Sequence, residues 1–358
     1  MMKFGICLAS RPQDVDYVVE AERLGFTHVW AADSQMIWSD VYAIMALIAA
    51  RTSTIKIGTG VAVPSTRTAP VTAAAHATIN QLAPGRVFCA VGTGNTAMRI
   101  MGHHPMRIGE FDQYLYDLRG FLDGREVEYE FRGTSTTVRH VMPDDGFVRF
   151  SPRMPMYVSA FGPKALAVAV RHGDGLITSL PNTPDAVQSL WGRLRRTARE
   201  QMLSINRTKF PIANLTTMVV LREGETLDSE RVKQQAGAFA IASLHYTYEQ
   251  MTQFGRRPPA DLADIWDDYV RQVELTPPDR RHQRIHLGHN CWVIPEEEQF
   301  VTPELIDRTC MVGTPEQLRT RVAQLYAAGL DQLVILPPIE EKEAVIADIA
   351  RVFLTERN

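Results

Sequence analysis

Three corners of this chain are built alike, and they restrict its fold more than any other feature. Leu24-Gly25-Phe26 leads into "THVW", His172-Gly173-Asp174 into "GLIT", and Ala328-Gly329-Leu330 into "DQLVIL". At each, a helical pattern ends on glycine, which turns the chain out of a helix at no steric cost, and a short apolar strand follows. Such units predict parallel strands joined by crossover helices, either closed as a (β/α)8 TIM barrel or open as a doubly wound sheet.

The strand count decides between them. Apolar stretches suited to buried strands recur at "KFGICLA", "FTHVWAAD", "TIKIGTGVAV", "RVFCAVGTG", "MPMYVSA", "GLITS", "FPIANLTTMVVL" and Gln332–Leu336, and a total of eight favours the barrel. Each but the last is followed by a candidate helix. One α/β domain over residues 1–358 is expected, with two interruptions. Residues 125–153 are polar and irregular, with room for a small β excursion. Residues 222–301, after strand seven, far exceed an ordinary loop and carry helical patterns in "AGAFAIASLHYTYEQM" and "LADIWDDYVRQVEL". Because this insertion follows a strand, it belongs on the C-terminal face, as a lid, a substrate wall or a subunit contact.

Composition excludes several classes of partner. A net charge of −3, without aromatic residues interleaved among Lys/Arg clusters, offers no nucleic-acid surface. No apolar run approaches the roughly 18 residues of a membrane span. The start "MMKFGICLASRPQDVD" reads as a first strand rather than a signal peptide, so a cytoplasmic protein is expected. Cys7, Cys89, Cys291 and Cys310 form no CxxC pair and are expected as buried, reduced thiols.

In a barrel the residues just past each strand's C-terminal end form the site. Here they are small and hydroxylic: Ala9-Ser10, Asp33-Ser34, Gly60-Val61, Gly92 to Asn95, Ser159 to Lys164, Thr178-Ser179 and Asn214 to Thr217. No strand-end cluster of carboxylates and histidines is present, which argues against a metal hydrolase, and no metal is expected. A site so poor in acid–base groups suits a protein whose cofactor does the chemistry. Trp30 is expected in the core, Trp38 either in the core or lining the pocket, His103-His104 on the surface or site wall, and His282, His286 and His289 in a solvated loop, with a cluster of the three as the alternative.

"SAFGPKALAVAV", from Ser159, is open to two readings. It is a plain strand-to-helix turn, or it holds an anion. Pro163 is tolerated in a first helical turn, Gly162 lets a ligand approach the backbone, and Lys164 adds charge to the positive end of the helix dipole.

Three stretches resemble a known family: "AERLGFTHVWAADSQMIWSDVYAIMALIAARTSTIKIGTGVAVPSTRTAPVTAAAHATINQLAPGRVFCAVGTG", "MYVSAFGPKALAVAVRHGDGLITS" and "CMVGTPEQLRTRVAQLYAAGLDQLVIL". They are similar to the bacterial-luciferase-like flavin superfamily, which includes coenzyme F420-dependent reductases. The resemblance implies a barrel binding FMN or F420 across its C-terminal mouth. Ala9, Asp33, Gly60, Val61, Gly92 and Asn95 would surround the ring, with a non-proline cis peptide at Gly60-Val61 backing it. Ser159, Ala160 and Gly162 would hold the phosphate, with Thr178 and Ser179 nearby.

One departure bears on mechanism. Many relatives place histidine directly after the strand-two acid, where this chain has Asp33-Ser34-Gln35. Asp33, Ser34 and Trp38 are therefore the catalytic candidates, with Gln35 or a residue of the insertion as a replacement for that histidine. The resemblance leaves two chemistries. In the preferred one, reduced FMN from a partner flavin reductase reacts with oxygen to a flavin hydroperoxide, which oxygenates a small organic substrate. In the other, F420 exchanges a hydride with the substrate, and Arg67, Arg99 and Arg107 either contribute to a basic channel for its acidic tail or are ordinary surface residues. FMN is preferred because F420 members more often keep the missing histidine. A barrel without flavin chemistry is the remote third reading. A homodimer or higher homo-oligomer is also expected.

Overall fold

The computed structural model describes residues 1–355. Strands β1 (Lys3–Leu8), β2 (His28–Ala31), β3 (Lys56–Thr59) and β4 (Val87–Val91) are followed by a hairpin, β5 (Val127–Phe131) and β6 (Thr134–Val138). Then come β7 (Met156–Ser159), β8 (Gly175–Thr178), β9 (Ile212–Thr216), β10 (Met218–Val220), β11 (Met311–Gly313) and β12 (Gln332–Ile335). The helices are α1 (Val15–Arg23), α2 (Val41–Arg51), α3 (Ala69–Leu82), α4 (Asn95–Arg99), α5 (Ile108–Leu122), α6 (Pro163–His172) and α7 (Pro184–Glu200). After them follow α8 (Glu230–Phe254), α9 (Ala263–Glu274), α10 (Arg281–Arg284), α11 (Pro303–Thr309), α12 (Pro315–Ala328) and α13 (Lys342–Phe353).

Eight parallel strands close in the order β1-β12-β9-β8-β7-β4-β3-β2, and β1 pairs β2 to complete the ring. The fold is the (β/α)8 TIM barrel. Side chains alternate across each strand, so one sequence feeds two cores. Trp30 points inward with Cys7, Phe88, Ala90, Ala213 and Val334, whereas its neighbours Val29 and Ala31 join the outer core beneath the helices. The hairpin β5–β6 fills the irregular stretch 125–153 as an antiparallel excursion. All four cysteines are buried and free, and burial pushes the thiols of Cys7, Cys89 and Cys310 up to about 12.

Three expectations need correction. "FPIANLTTMVVL" is two strands, because after β9 the chain leaves the barrel at Thr217 and β10 pairs with β11 in a separate ribbon. The last barrel strand does have a helix, α13. Of the three glycine corners, Gly25 (φ 95°) and Gly329 (φ 116°) are left-handed, but Gly173 is extended at φ −81°. A side chain at Gly173 would meet the Ala169 carbonyl oxygen at 2.8 Å, so close packing rather than backbone hand requires glycine there.

Between β10 and β11 the chain builds its own small core, in which Leu244, Trp266, Tyr269, Phe300 and Ile306 pack together. Phe239 of α8 touches both this core and the barrel interior, which places the insertion over the C-terminal ends of the strands. Among the described residues no helix is long and apolar enough to cross a membrane.

Candidate active site

Aromatic rings form the floor of the mouth. Trp30 meets Phe88 and Tyr157 edge-on, at centroid distances of 4.6 and 5.3 Å. The Gly60–Val61 peptide above it is cis. A Cβ on Gly60 would lie 2.8 Å from the Trp30 Cβ, and one on Gly92 would lie 2.7 Å from Val61 Cγ2. Both glycines are thus demanded by the protein's own packing, which brings Val61 against the interior cluster.

On the side of β2, Asp33 is almost fully buried and accepts the Val63 amide at 3.2 Å and Arg67 Nη1 at 2.9 Å. Burial pushes its carboxyl above the ordinary value, and Arg67 and the amide offset that only in part. Ser34 is buried beside it, and Ser10 ties β1 to β2 by donating to the Ala32 carbonyl at 2.9 Å. Ala9 is buried at the end of β1, near Pro337 and Ile339 beyond β12. Gln35 is held by α4 and the turn after it, its amide reaching Ala97 O at 2.9 Å and Met101 Sδ at 3.4 Å. Trp38 is half-buried against the interior cluster and donates through Nε1 to Cys291 Sγ, 3.3 Å away in the insertion.

Across the mouth, β7 and β8 bring Ser159, Ala160 and Gly162 next to Thr178 and Ser179. Gly162 is the N-cap of α6, Pro163 opens the helix, and no side chain caps it. Thr178 Oγ1 is buried without a hydrogen-bond partner among the described residues. Ser179 donates to Leu215 O at 3.1 Å. A side chain on Gly162 would meet nothing within 4 Å, and its φ of −85° suits any residue. Neither packing nor backbone conformation therefore calls for glycine there, unlike Gly60 and Gly92. An uncapped helix start, an orphaned hydroxyl, Ser159 and the exposed Lys164 make a donor set that fits a phosphate group, while the Ser179 proton is already given to Leu215 O.

Other residues are placed differently from expectation. Arg67 is committed to Asp33 and Asp40, and Arg99 to Asn95, Glu249 and Gln253, so neither is free to line a channel. Asn95 turns to the insertion, donating to Glu249 Oε2 at 3.4 Å. His103 and His104 are exposed. His286 and His289 are not solvated: each is only 3% accessible, because the insertion folds back over the mouth and packs them under α8, and His282 is half-buried. Sequence reasoning missed Asn182, which joins Asn214 and Thr216 in a buried ladder of bonds at 3.1 and 2.9 Å. Nothing in the spacing announced it, since Asn182 lies in a loop beyond β8.

The model for luciferase-like monooxygenases matches residues 2–332. The chain belongs to that family. Two relatives align over nearly the whole length. A 5,10-methylenetetrahydromethanopterin reductase of Archaeoglobus fulgidus is 26% identical over 352 residues, covering 94% of each chain. Its counterpart from Methanolobus tindarius is 29% identical over 348 residues, covering 94% of this chain and 93% of its own. An F420-dependent hydroxymycolic acid dehydrogenase of Mycobacterium tuberculosis is 31% identical, over 48% of this chain and 50% of its own. Two solved structures share the fold. The coenzyme F420-dependent tetrahydromethanopterin reductase of Methanopyrus kandleri superposes with a TM-score of 0.72 at 19% identity, covering 100% and 99% of the two chains. The FMN-bound oxygenating constituent of 3,6-diketocamphane monooxygenase from Pseudomonas putida does so at 0.62 and 13%, covering 99% and 98%. The protein is thus a luciferase-like oxidoreductase.

Proposed function

We propose that this protein is an F420-dependent oxidoreductase that moves a hydride between the deazaflavin and a small organic substrate. The observation that carries this reading is the end-to-end likeness to two methylenetetrahydromethanopterin reductases, whereas the likeness to an FMN monooxygenase is one of fold at 13% identity. It reverses the preference for FMN drawn from the missing histidine.

Bound F420 supplies a carbon that accepts or returns a hydride. The rest falls to the chain. Ser159, Ala160, Gly162, Thr178 and Ser179 hold the phosphate at the start of α6. Lys164 and Arg107 stand exposed at the N-terminal ends of neighbouring helices α6 and α5, where they suit an acidic tail. Gly60, Val61 and the Trp30 floor back the ring, and the insertion excludes water from the transfer.

Side-by-side fluorescence titration with F420 and FMN tests this, followed by anaerobic turnover. Micromolar binding of F420 and oxygen-independent reduction or oxidation of it by a substrate is the expected result. Binding of FMN alone, with product formed only when oxygen and reduced FMN are supplied, would overturn it.

A further inference from the structure

The cradle at the start of α6 has protein on one side only. Inward it is backed by the paired strands β7 and β8, with the Thr178 hydroxyl buried there and unpartnered among the described residues. Outward, Phe161, Gly162, Pro163 and Lys164 are all exposed, and a Cβ added to Gly162 would meet nothing within 4 Å. FMN ends at its phosphate and needs no such opening. In F420 the chain continues past the phosphate into an acidic glutamyl tail, and the open side is where that tail can leave.

Arg193 stands at the opening. It comes from the middle of α7, which packs beside α6, and donates from Nη1 to the Phe161 carbonyl at 3.0 Å, one residue before the N-cap of α6. That bond fixes the guanidinium, while Nε and Nη2 keep their N–H groups without a protein partner among the described residues. The side chain is half-buried, so it is held against the helix pair rather than loose in solvent. Lys164, on the first turn of α6, adds a second cation to the same rim. Acids are kept away from it. None lies in the first turn of α6, and Asp185 is the only one from Thr183 to Arg199, more than two helical turns from Arg193.

We propose that the outer rim of the cradle binds the carboxylates of the glutamyl tail, and that Arg193 makes the protein prefer tailed F420 to the same deazaflavin ending at its phosphate. This rests on the F420 reading and adds to it a subsite for an oligocarboxylate. The planar fork of an arginine takes a carboxylate through two parallel N–H bonds, which a lysine cannot do. Solvent reaches both cations, so the preference is moderate and falls as salt is added.

The test titrates the full chain by fluorescence with two probes, F420 carrying its glutamates and the deazaflavin that stops at the phosphate, at low and high salt. The wild type should bind the tailed probe about fivefold tighter or more at low salt, with the gap closing at high salt. Arg193→Gln should lose most of that preference by weakening the tailed probe alone, and Arg193→Lys should keep part of it. Arg195→Gln, which removes a cation lying over the Trp191 ring, should keep all of it. A wild type that binds neither probe overturns both this inference and the F420 reading. Equal affinity for the two probes overturns this inference alone. So does an Arg193→Gln variant that weakens both probes alike, because the arginine then only braces the corner. An Arg195→Gln variant that loses the preference as fully also overturns it, since the attraction then belongs to the charge of the whole helix.

Discussion

Arg67 places one nitrogen, Nη1, 3.0 and 2.9 Å from the two carboxylate oxygens of Asp33, and with its other amino group it holds Asp40 at 2.7 Å. Asp40 in turn caps α2 by accepting the Tyr42 and Ala43 amides. One guanidinium therefore fastens the end of β2, the start of α2 and the loop after β3. It also lies 4.8 Å above the Tyr42 ring.

Arg67→Met should cost about 3 kcal/mol, because it leaves Asp33 as a buried charge without its partner. The loss should depend on pH in a definite direction. Burial already holds the folded Asp33 carboxyl above its unfolded value, and removing Arg67 raises it further. The folded variant then takes up a proton before the unfolded chain does, so acidification favours its folding. Urea melts should show the variant far below the wild type at neutral pH and closer to it in mild acid. Adding Asp33→Asn should recover part of the loss.

His76 gives a second pH dependence, of opposite sign. It is fully buried in α3, donates from Nδ1 to Thr72 O at 2.8 Å, and has no partner for Nε2 among the described residues. Burial lowers it from 6.5 to about 4. Below 6.5 the unfolded chain binds the proton and the folded one does not, so stability falls with pH until about 4. The slope contributed is about 1.4 kcal/mol per pH unit. His28, lowered to about 3, adds to it. His76→Gln should remove one proton's worth of slope from stability measured between these pH values, whatever it does to the absolute stability.

The barrel was legible because each of its elements is a local signal. A left-handed glycine at Gly25 or Gly329, an inward Trp30 between outward Val29 and Ala31, and Pro163 at a helix start all depend on neighbours in sequence. The ring of hydroxyls around α6 followed once the strands were counted. Of the lid cluster only the recurrence of His282, His286 and His289 was legible, because its order exists only in space. Glu249, His286 and Trp38 come from separate segments, and "HQRIHLGHN" looks polar in sequence while the fold buries His286 and His289. Polarity is a poor guide to exposure where charged groups have each other as partners.

Gly92→Ala should fold poorly. Its Cβ would meet Val61 Cγ2 at 2.7 Å and the Ser159 Cβ at 3.2 Å, so the short, stiff Val61 side chain has to shift to admit it. Overpacking of this kind costs about 1–3 kcal/mol. A thermal melt lowered with the cofactor absent would identify Gly92 as a packing residue. An unchanged melt with weaker cofactor binding would make it a binding residue instead.

Gly162→Asp should do the opposite. The position is exposed, a side chain there meets nothing within 4 Å, and the backbone is extended in a way aspartate accepts. Aspartate is moreover a better N-cap than glycine and carries charge of the sign that the helix start favours. The melt of the cofactor-free variant should therefore match the wild type within about 0.5 kcal/mol, or exceed it. On the proposed reading, however, its carboxylate would stand where the phosphate binds and repel it. F420 affinity should fall about tenfold or more, equivalent to about 1.4 kcal/mol. Gly162→Ala, which adds a methyl without charge, should fall between the two. Equal affinity for all three proteins, measured by fluorescence titration, would show that the phosphate is held away from α6.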